Sequence, residues 1–267
     1  MSKSIPVGVI GAGVMGEALI AALISYGVSP ELITISEKRS DRADELVSRY
    51  GISLRDIQDN VASAQALLLV VKPQDMAGVL AEIKASINSK AVVITFAAGK
   101  KIAFIADALG TGNPIVRVMP NTATLVGAGM AAVSLGGGVT AEQSSFVTGF
   151  LSATGKVVEV PEDLQDAVTA TSGSGPAYFF RFVEAMVDGA EQLGLSRDVA
   201  TTLTVQTIVG AAKLLEQSGK SAKTLRENVT SPNGTTAAAL ASLEADQIAT
   251  IVAAAMKAAR DRSQELA

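Results

Sequence analysis

The sequence predicts an α/β fold, with an N-terminal doubly wound parallel sheet followed by an all-helical C-terminal domain. Three observations carry the prediction. Residues 6–24, PVGVIGAGVMGEALIAALI, pass from a short apolar run through G-x-G-x-x-G into an alanine- and leucine-rich helix. Short apolar runs then alternate with helical patterns as far as Pro161, the pattern of a parallel sheet covered on both faces. From residue 162 onward no convincing strand appears, and apolar residues recur at helical spacing.

The first strand is carried by Val7, Val9 and Ile10, and the loop by Gly11, Gly13 and Gly16. Gly11 permits the tight turn, Gly13 lets a pyrophosphate approach the backbone, and Gly16 lets helix and strand pack closely. The helix behind them offers free N–H groups and a positive dipole end. A glycine-rich turn alone would say little. Strand before and helix after are the context a dinucleotide site requires, so Gly11, Gly13, Val14, Met15 and Gly16 are candidate cofactor residues.

Residues 32–36 (LITIS) predict a second strand, and 41–50 a polar helix closed by Gly51. Glu37 stands about 20 residues past the loop, where a dinucleotide site places the residue that meets the adenosine ribose. Lys38 and Arg39 follow it, although an ordinary solvated strand end would look the same. A helix is predicted over 56–64. The run ALLLVV (66–71), bounded by Lys72 and Pro73, fits a central strand buried on both faces. Pro73 suits the first turn of a helix reaching Ile87. Strands at 91–96 and 115–119 enclose a short helix at 101–109, and strands at 130–135 and 156–160 flank a helix at 141–153. Ligands on such sheets sit beyond the carboxyl ends of the strands. That rule adds Ser36, Glu37, Lys38, Arg39, Val71, Lys72, Pro73, Ala97, Ala98 and Asn121 to the candidate cofactor residues.

A domain boundary is expected near Pro161, giving 1–161 as a dinucleotide-binding domain and 162–267 as a helical one. Phe179, Val183, Met186, Ala190 and Leu193 mark one helix face. Tyr178, Phe182 and Val187 widen it, so this helix is expected to be broadly buried. Val205, Ile208, Ala212 and Leu215 mark a second helix, and 237–260 supplies more. Two non-helical segments are expected to interrupt these helices: a flexible turn at 171–178 (TSGSGPAY), and 229–236 (VTSPNGTT), a turn running into a helix. Taken singly, either could be no more than a helix cap. The helix start after Gly234 also offers N–H groups suited to a substrate carboxylate.

Composition narrows the chemistry. The chain has no cysteine and no histidine, which removes disulfides, thiolate chemistry, the usual metal ligand and the usual general acid. A net charge of −4 argues against nucleic acid or an anionic membrane as partner. No apolar run reaches the ~18 residues of a membrane span. Lys3 and the apolar stretch after it resemble a signal peptide, but the glycines at 11, 13 and 16 would break its helix. A cytoplasmic protein is expected.

The segments AVTATSGSGPAYFF (167–180), VTSPNGTT (229–236), RVMPNTA (117–123) and VKPQ (71–74) resemble the motifs of the pyrroline-5-carboxylate reductases, and the likeness runs over essentially the whole chain. The resemblance implies a Rossmann-type N-terminal domain and a helical C-terminal domain for substrate binding and dimerisation. It implies NADP and NAD as cofactors, and reduction of the cyclic imine 1-pyrroline-5-carboxylate to L-proline, the last step of proline biosynthesis. It also implies that Ser231, Gly234, Thr235 and Thr236 bind substrate, the carboxylate resting on backbone N–H groups. The Thr236 hydroxyl would meet the ring nitrogen as the catalytic group. A homodimer is implied, or a larger homo-oligomer built from dimers.

The chain departs from the family pattern at Asn233, where glycine is common, and at Ala123, where proline is common. Asparagine tolerates left-handed backbone better than other non-glycine residues. Cofactor preference is balanced between groups of opposite sign. Glu37 would bind ribose hydroxyls and repel a 2′-phosphate, whereas Ser36, Lys38 and Arg39 would cradle one. The family's hydroxyl-then-basic pattern at this turn implies that NADPH is preferred and NADH accepted.

A histidine-free chain suits this reaction. An imine can be protonated before hydride arrives, so the protein has mainly to orient the substrate and exclude water. Two other readings compete. A 3-hydroxyacid dehydrogenase would carry a lysine four residues after the last glycine of its motif, and here that position is Phe179, with Lys156 and Lys213 as the other conceivable donors. A non-catalytic NADP-binding regulator would have no use for two intact C-terminal loops.

Overall fold

The alternation read from the sequence becomes one eight-stranded sheet in the computed structural model, which describes residues 3–266. The strands are β1 (Val7–Ile10), β2 (Ile33–Ser36), β3 (Ser53–Leu54), β4 (Ala66–Leu69), β5 (Val92–Thr95), β6 (Ile115–Met119), β7 (Gly129–Leu135) and β8 (Gly155–Glu159). They lie in the order β3-β2-β1-β4-β5-β6-β7-β8. From β3 to β6 every pairing is parallel, with Val7 opposite Ile33 on one side and Ala66 on the other. The order reverses at β1, so the crevice for a ligand lies beside the first glycine loop.

Helices α1 (Val14–Tyr26), α2 (Ser40–Tyr50), α3 (Ile57–Ser63), α4 (Met76–Ile83), α5 (Ile102–Leu109) and α6 (Ala141–Ser152) cover the sheet. The apolar run in β4 shows why both faces had to be covered. Leu68 joins a core layer with Leu19, Leu23, Phe146 and Phe150, while Leu67 and Leu69 join the opposite layer with Met76, Leu80 and Ile105. All are fully buried, as period-two alternation in a central strand demands. On the first layer Tyr26 meets Phe146 edge-on at 6.1 Å, and Phe146 meets Phe150 at 5.6 Å.

Three local expectations are corrected. The sheet is not wholly parallel, because β7 runs antiparallel to β6. The two are joined only by a 3₁₀ turn at Thr122–Val126, and a parallel return needs a crossover of about a dozen residues or more. Pro73 does not open α4. It lies in a turn closed by the Asp75 N–H to the Lys72 carbonyl at 2.9 Å, and the helix starts at Met76. The segment 171–178 is not a flexible turn either. After α7 (Gln165–Val168) the chain forms a π-helix at Thr169–Gly173 and then α8 (Gly175–Gln192). The hydroxyls of Thr169, Thr171 and Ser172 donate to the carbonyls of Gln165, Ala167 and Val168, and the Ser174 N–H donates to the Thr169 carbonyl at 2.8 Å. The hydroxyls bond back to carbonyls of the preceding turn, and the chain stays helical here in the widened π form, where composition suggests loop.

The remaining helices are α9 (Arg197–Gln217), α10 (Ala222–Asn228), α11 (Thr235–Ala245) and α12 (Ile248–Glu265). No strand occurs after residue 162 among the described residues. The chain forms two compact units, one running through Ser174 and rejoined from Ala259, the other Gly175–Ala258. This division falls later than the boundary expected at Pro161, for a physical reason. The Gln165 amide donates to the Ala132 carbonyl at 3.3 Å and to the Ser134 hydroxyl at 2.8 Å. Buried Arg117 pairs with Glu162 at 3.3 Å and Asp166 at 3.7 Å, and Asp166 accepts from the Ser263 hydroxyl at 2.7 Å. These bonds hold residues 162–166 and the end of α12 against the sheet.

Within a single chain the second unit does not cover the helix expected to be broadly buried. Along α8 exposure runs from 40% at Met186 to 65% at Phe180, with Phe179 and Phe182 between them, while Val187 is buried. Within this unit α8 packs on α9, and α9 itself leaves Leu203, Val205 and Leu215 exposed. Helical periodicity identified the apolar face but not what covers it.

The core layer is open to a direct test. Phe150→Ala is expected to lower unfolding free energy by about 3–5 kcal/mol, read from urea denaturation followed by circular dichroism. A loss under about 1 kcal/mol would mean that the ring is not packed as described.

Candidate functional site

A cleft of about 610 Å³ opens at the carboxyl ends of β1, β2 and β4 in the first unit. Its floor is Gly11, Gly13, Val14, Met15 and Gly16. Gly11 has φ +86, and a Cβ there would lie 2.6 Å from the Val70 carbonyl oxygen. A Cβ on Gly16 would collide with the Gly11 carbonyl oxygen, so helix and strand meet at backbone distance. At Gly13 a Cβ would meet nothing, which leaves open space where a pyrophosphate needs to approach. The Glu17 N–H makes the first helical bond, to the Gly13 carbonyl at 2.9 Å. The N–H groups of Val14, Met15 and Gly16 therefore have no partner within the helix. These features fit a dinucleotide.

The residue between the first two glycines is held at both ends of its peptide geometry. The Ala12 N–H donates to Glu37 Oε2 at 2.8 Å, and its carbonyl accepts from Arg42 Nε at 3.1 Å. Arg42 is fixed in turn by Glu17 and by Glu45 at 2.6 Å. Glu17 also takes Arg49 at 2.5 Å and the Tyr50 hydroxyl at 2.9 Å. Burial pushes the Glu17 carboxyl up, but hydrogen bonds from Arg42, Tyr50 and Arg49 outweigh it and hold the group below its ordinary range. An acidic residue in the first turn of α1 thus anchors α2 and, through Arg42, the glycine loop.

At the end of the cleft beside β2 and β3 stand Ser36, Glu37 and Lys38, together with Arg55, Asp56, Ile57 and Gln58. The opposite wall includes Val71, Lys72 and Asp75. Arg39, Pro73, Ala97, Ala98 and Asn121 do not line it. Ala97 is buried, and the Asn121 amide ties the end of β6 to its neighbours, donating to the Ser172 carbonyl at 3.2 Å and accepting from the Met130 N–H at 3.1 Å. The residues 55–58 were not reached from the sequence because β3 is too short to register as a strand. Had it been recognised, the strand-end rule would have led straight to them.

The second candidate site lies in the other unit and is described by itself. Asn233 has φ +60, the left-handed conformation for which asparagine is suited. Gly234 is the N-cap of α11, its N–H donating to the Ser231 carbonyl at 3.1 Å. The first helical bond runs from Ala238 to Gly234, leaving the N–H groups of Thr235 and Thr236 without helical acceptors. Thr236 sits inside the first turn rather than at the cap position, and its half-buried hydroxyl has no partner among the described residues. It is available to a ligand.

The chain is similar to known proteins over essentially its whole length. Residues 162–266 match a family described as pyrroline-5-carboxylate reductase dimerisation, and residues 6–99 match one described as NADP oxidoreductase, coenzyme F420-dependent. It is 39% identical to a pyrroline-5-carboxylate reductase of Mycobacterium leprae, covering 100% of this chain and 98% of the relative. It is 42% identical to the reductase of Corynebacterium melassecola, covering 97% and 98%. Among solved structures, a pyrroline-5-carboxylate reductase from Coxiella burnetii superimposes with a TM-score of 0.91 at 34% identity, covering 99% of each chain. A Plasmodium falciparum pyrroline carboxylate reductase with NADP bound gives 0.89 at 28% identity, covering 100% of this chain and 99% of that one.

The clamp on the glycine loop makes a pH prediction. A depressed carboxyl contributes stability that is present above its unfolded value of about 4.3 and is lost as pH falls through the lower folded value. Wild-type protein is therefore expected to lose melting temperature below about pH 4. Glu17→Gln is expected to melt lower at pH 7 and to show a shallower acid slope. An acid slope equal to that of wild type in a folded Glu17→Gln protein would remove Glu17 from this role.

Proposed function

This chain belongs to the pyrroline-5-carboxylate reductase family, and we propose that it reduces 1-pyrroline-5-carboxylate to L-proline with NAD(P)H, the last step of proline biosynthesis. The observation that carries the reading is the start of α11, where two free N–H groups and an unpartnered hydroxyl converge in the loop shared with the family. The functional division proposed is 1–161 for dinucleotide binding and 162–267 for substrate binding and dimerisation.

The glycine loop holds the pyrophosphate on the N–H groups of α1, and Val71 and Lys72 close the opposite wall. A bound nicotinamide supplies the hydride. The N–H groups of Thr235 and Thr236 receive the substrate carboxylate, Ser231 braces the turn through its carbonyl, and Gly234 leaves no side chain in the way. The Thr236 hydroxyl meets the ring nitrogen and orients the imine carbon. The substrate is protonated at nitrogen before reduction, so no histidine is called for.

NADPH is the preferred cofactor and NADH is accepted. Lys38 supports that preference from within the cleft, against the carboxylate of Glu37. The protein acts in the cytoplasm on a small molecule, with neither nucleic acid nor membrane as partner. No single helix among the described residues is long and apolar enough to cross a membrane. The functional form is a homodimer, or a larger oligomer built from dimers, joined through the apolar residues of α8 and α9.

Two measurements test this reading. Thr236→Ala removes a contact worth about 1–3 kcal/mol when its partner is charged or buried, so kcat/KM for pyrroline-5-carboxylate is expected to fall about 5- to 150-fold. Thr236→Ser should keep most activity. Unchanged kcat/KM in folded Thr236→Ala would refute the role. Sedimentation at micromolar concentration is expected to show a dimer or larger species, and a folded monomer there would overturn the assembly.

A further inference from the structure

We infer that Arg55 recognises the 2′-phosphate of NADPH, with Lys38 beside it, and that Arg39 takes no part. The inference rests on the reading that the cleft in the first unit takes NADPH, and it names a side chain that no sequence motif marks.

Arg55 is fixed at the end of β2 through its own peptide groups. Its N–H donates to the Ile35 carbonyl at 3.1 Å, and its carbonyl accepts from the Ser36 hydroxyl at 3.1 Å. That hydroxyl also accepts from Asn60 Nδ2 at 2.9 Å, and Asn60 is wholly buried. Ser36 therefore has both its donor and an acceptor position occupied within the protein. Its part is to position Arg55, rather than to hold the phosphate itself.

The guanidinium is placed differently from the others nearby. Arg55 is exposed, lines the cleft with Glu37 and Lys38, and has no acceptor among the described residues. Arg42 is committed to Glu17, Glu45 and the Ala12 carbonyl. Arg39 precedes α2 and does not line the cleft.

The two acids at this end are partly satisfied in place. Glu37 accepts the Ala12 N–H at 2.8 Å and the Arg39 N–H at 3.1 Å, and Asp56 accepts the Asp59 N–H at 2.8 Å as the cap of α3. A phosphate dianion calls for a planar, multiply donating cation, and arginine presents that fork where lysine presents a point charge. Nonphosphorylated ribose makes no such demand.

The test is direct binding to the full-length protein, read from the fluorescence of the reduced nicotinamide, which a chain without tryptophan leaves clear. Arg55→Ala is expected to weaken NADPH about 10- to 100-fold while NADH stays within about threefold. Arg39→Ala is expected to leave both within about threefold. Retained NADH binding shows that each variant is folded. Equal weakening of both nucleotides by Arg55→Ala, no weakening of either, or a selective loss in Arg39→Ala would overturn the assignment. Wild-type protein that binds neither nucleotide would defeat the cofactor reading and this inference together. Wild-type protein that binds both, with selectivity untouched by Arg55→Ala, would defeat this inference alone.

Discussion

The geometry of the nucleotide cleft depends on how closely α1 approaches β1. With no side chain at Gly16, the helix meets the Gly11 carbonyl directly, and its free N–H groups sit at the carboxyl end of the sheet. Glycine permits this arrangement but does not hold it. Holding falls to Glu37 and Arg42, which grip the N–H and carbonyl of Ala12, and to Glu17, which anchors Arg42. Such groups make the loop a preformed receptor, so less ordering is left to be done when a ligand binds. Glu37 therefore both supports the loop and lines the cleft.

The second unit follows a different logic. Its helices are marked by regular apolar spacing, yet much of α8 and α9 is open within one chain. A small helical unit seldom buries so much apolar surface alone, and large exposed apolar patches mark interaction sites. Residues 162–266, which carry that face, match a family described as pyrroline-5-carboxylate reductase dimerisation. The first unit also takes in residues from beyond the expected boundary. Residues 162–166 and the end of α12 share a buried network around Arg117, so part of the C-terminal segment is structurally a component of the sheet unit.

The sequence by itself determined the layered α/β architecture, the glycine loop and the helical second half, because each is written in local periodicity and short-range spacing. The ALLL of β4 had to be buried on both faces, and Gly11, Gly13 and Gly16 had to follow a strand and open a helix. Residue type made a left-handed Asn233 tolerable, and the structure shows that it is adopted. Only the tertiary structure decided the direction of β7, the π-helix at Thr169–Gly173, the bonding of Asn121 and the presence of Arg55 rather than Arg39 in the cleft. Each of these turns on a partner distant in the chain or on a hydrogen bond that composition does not specify. Adjacent cations such as Lys38 and Arg39 look equivalent in sequence. The start of α2 separates them, while a bond from Ser36 draws Arg55 to the same site.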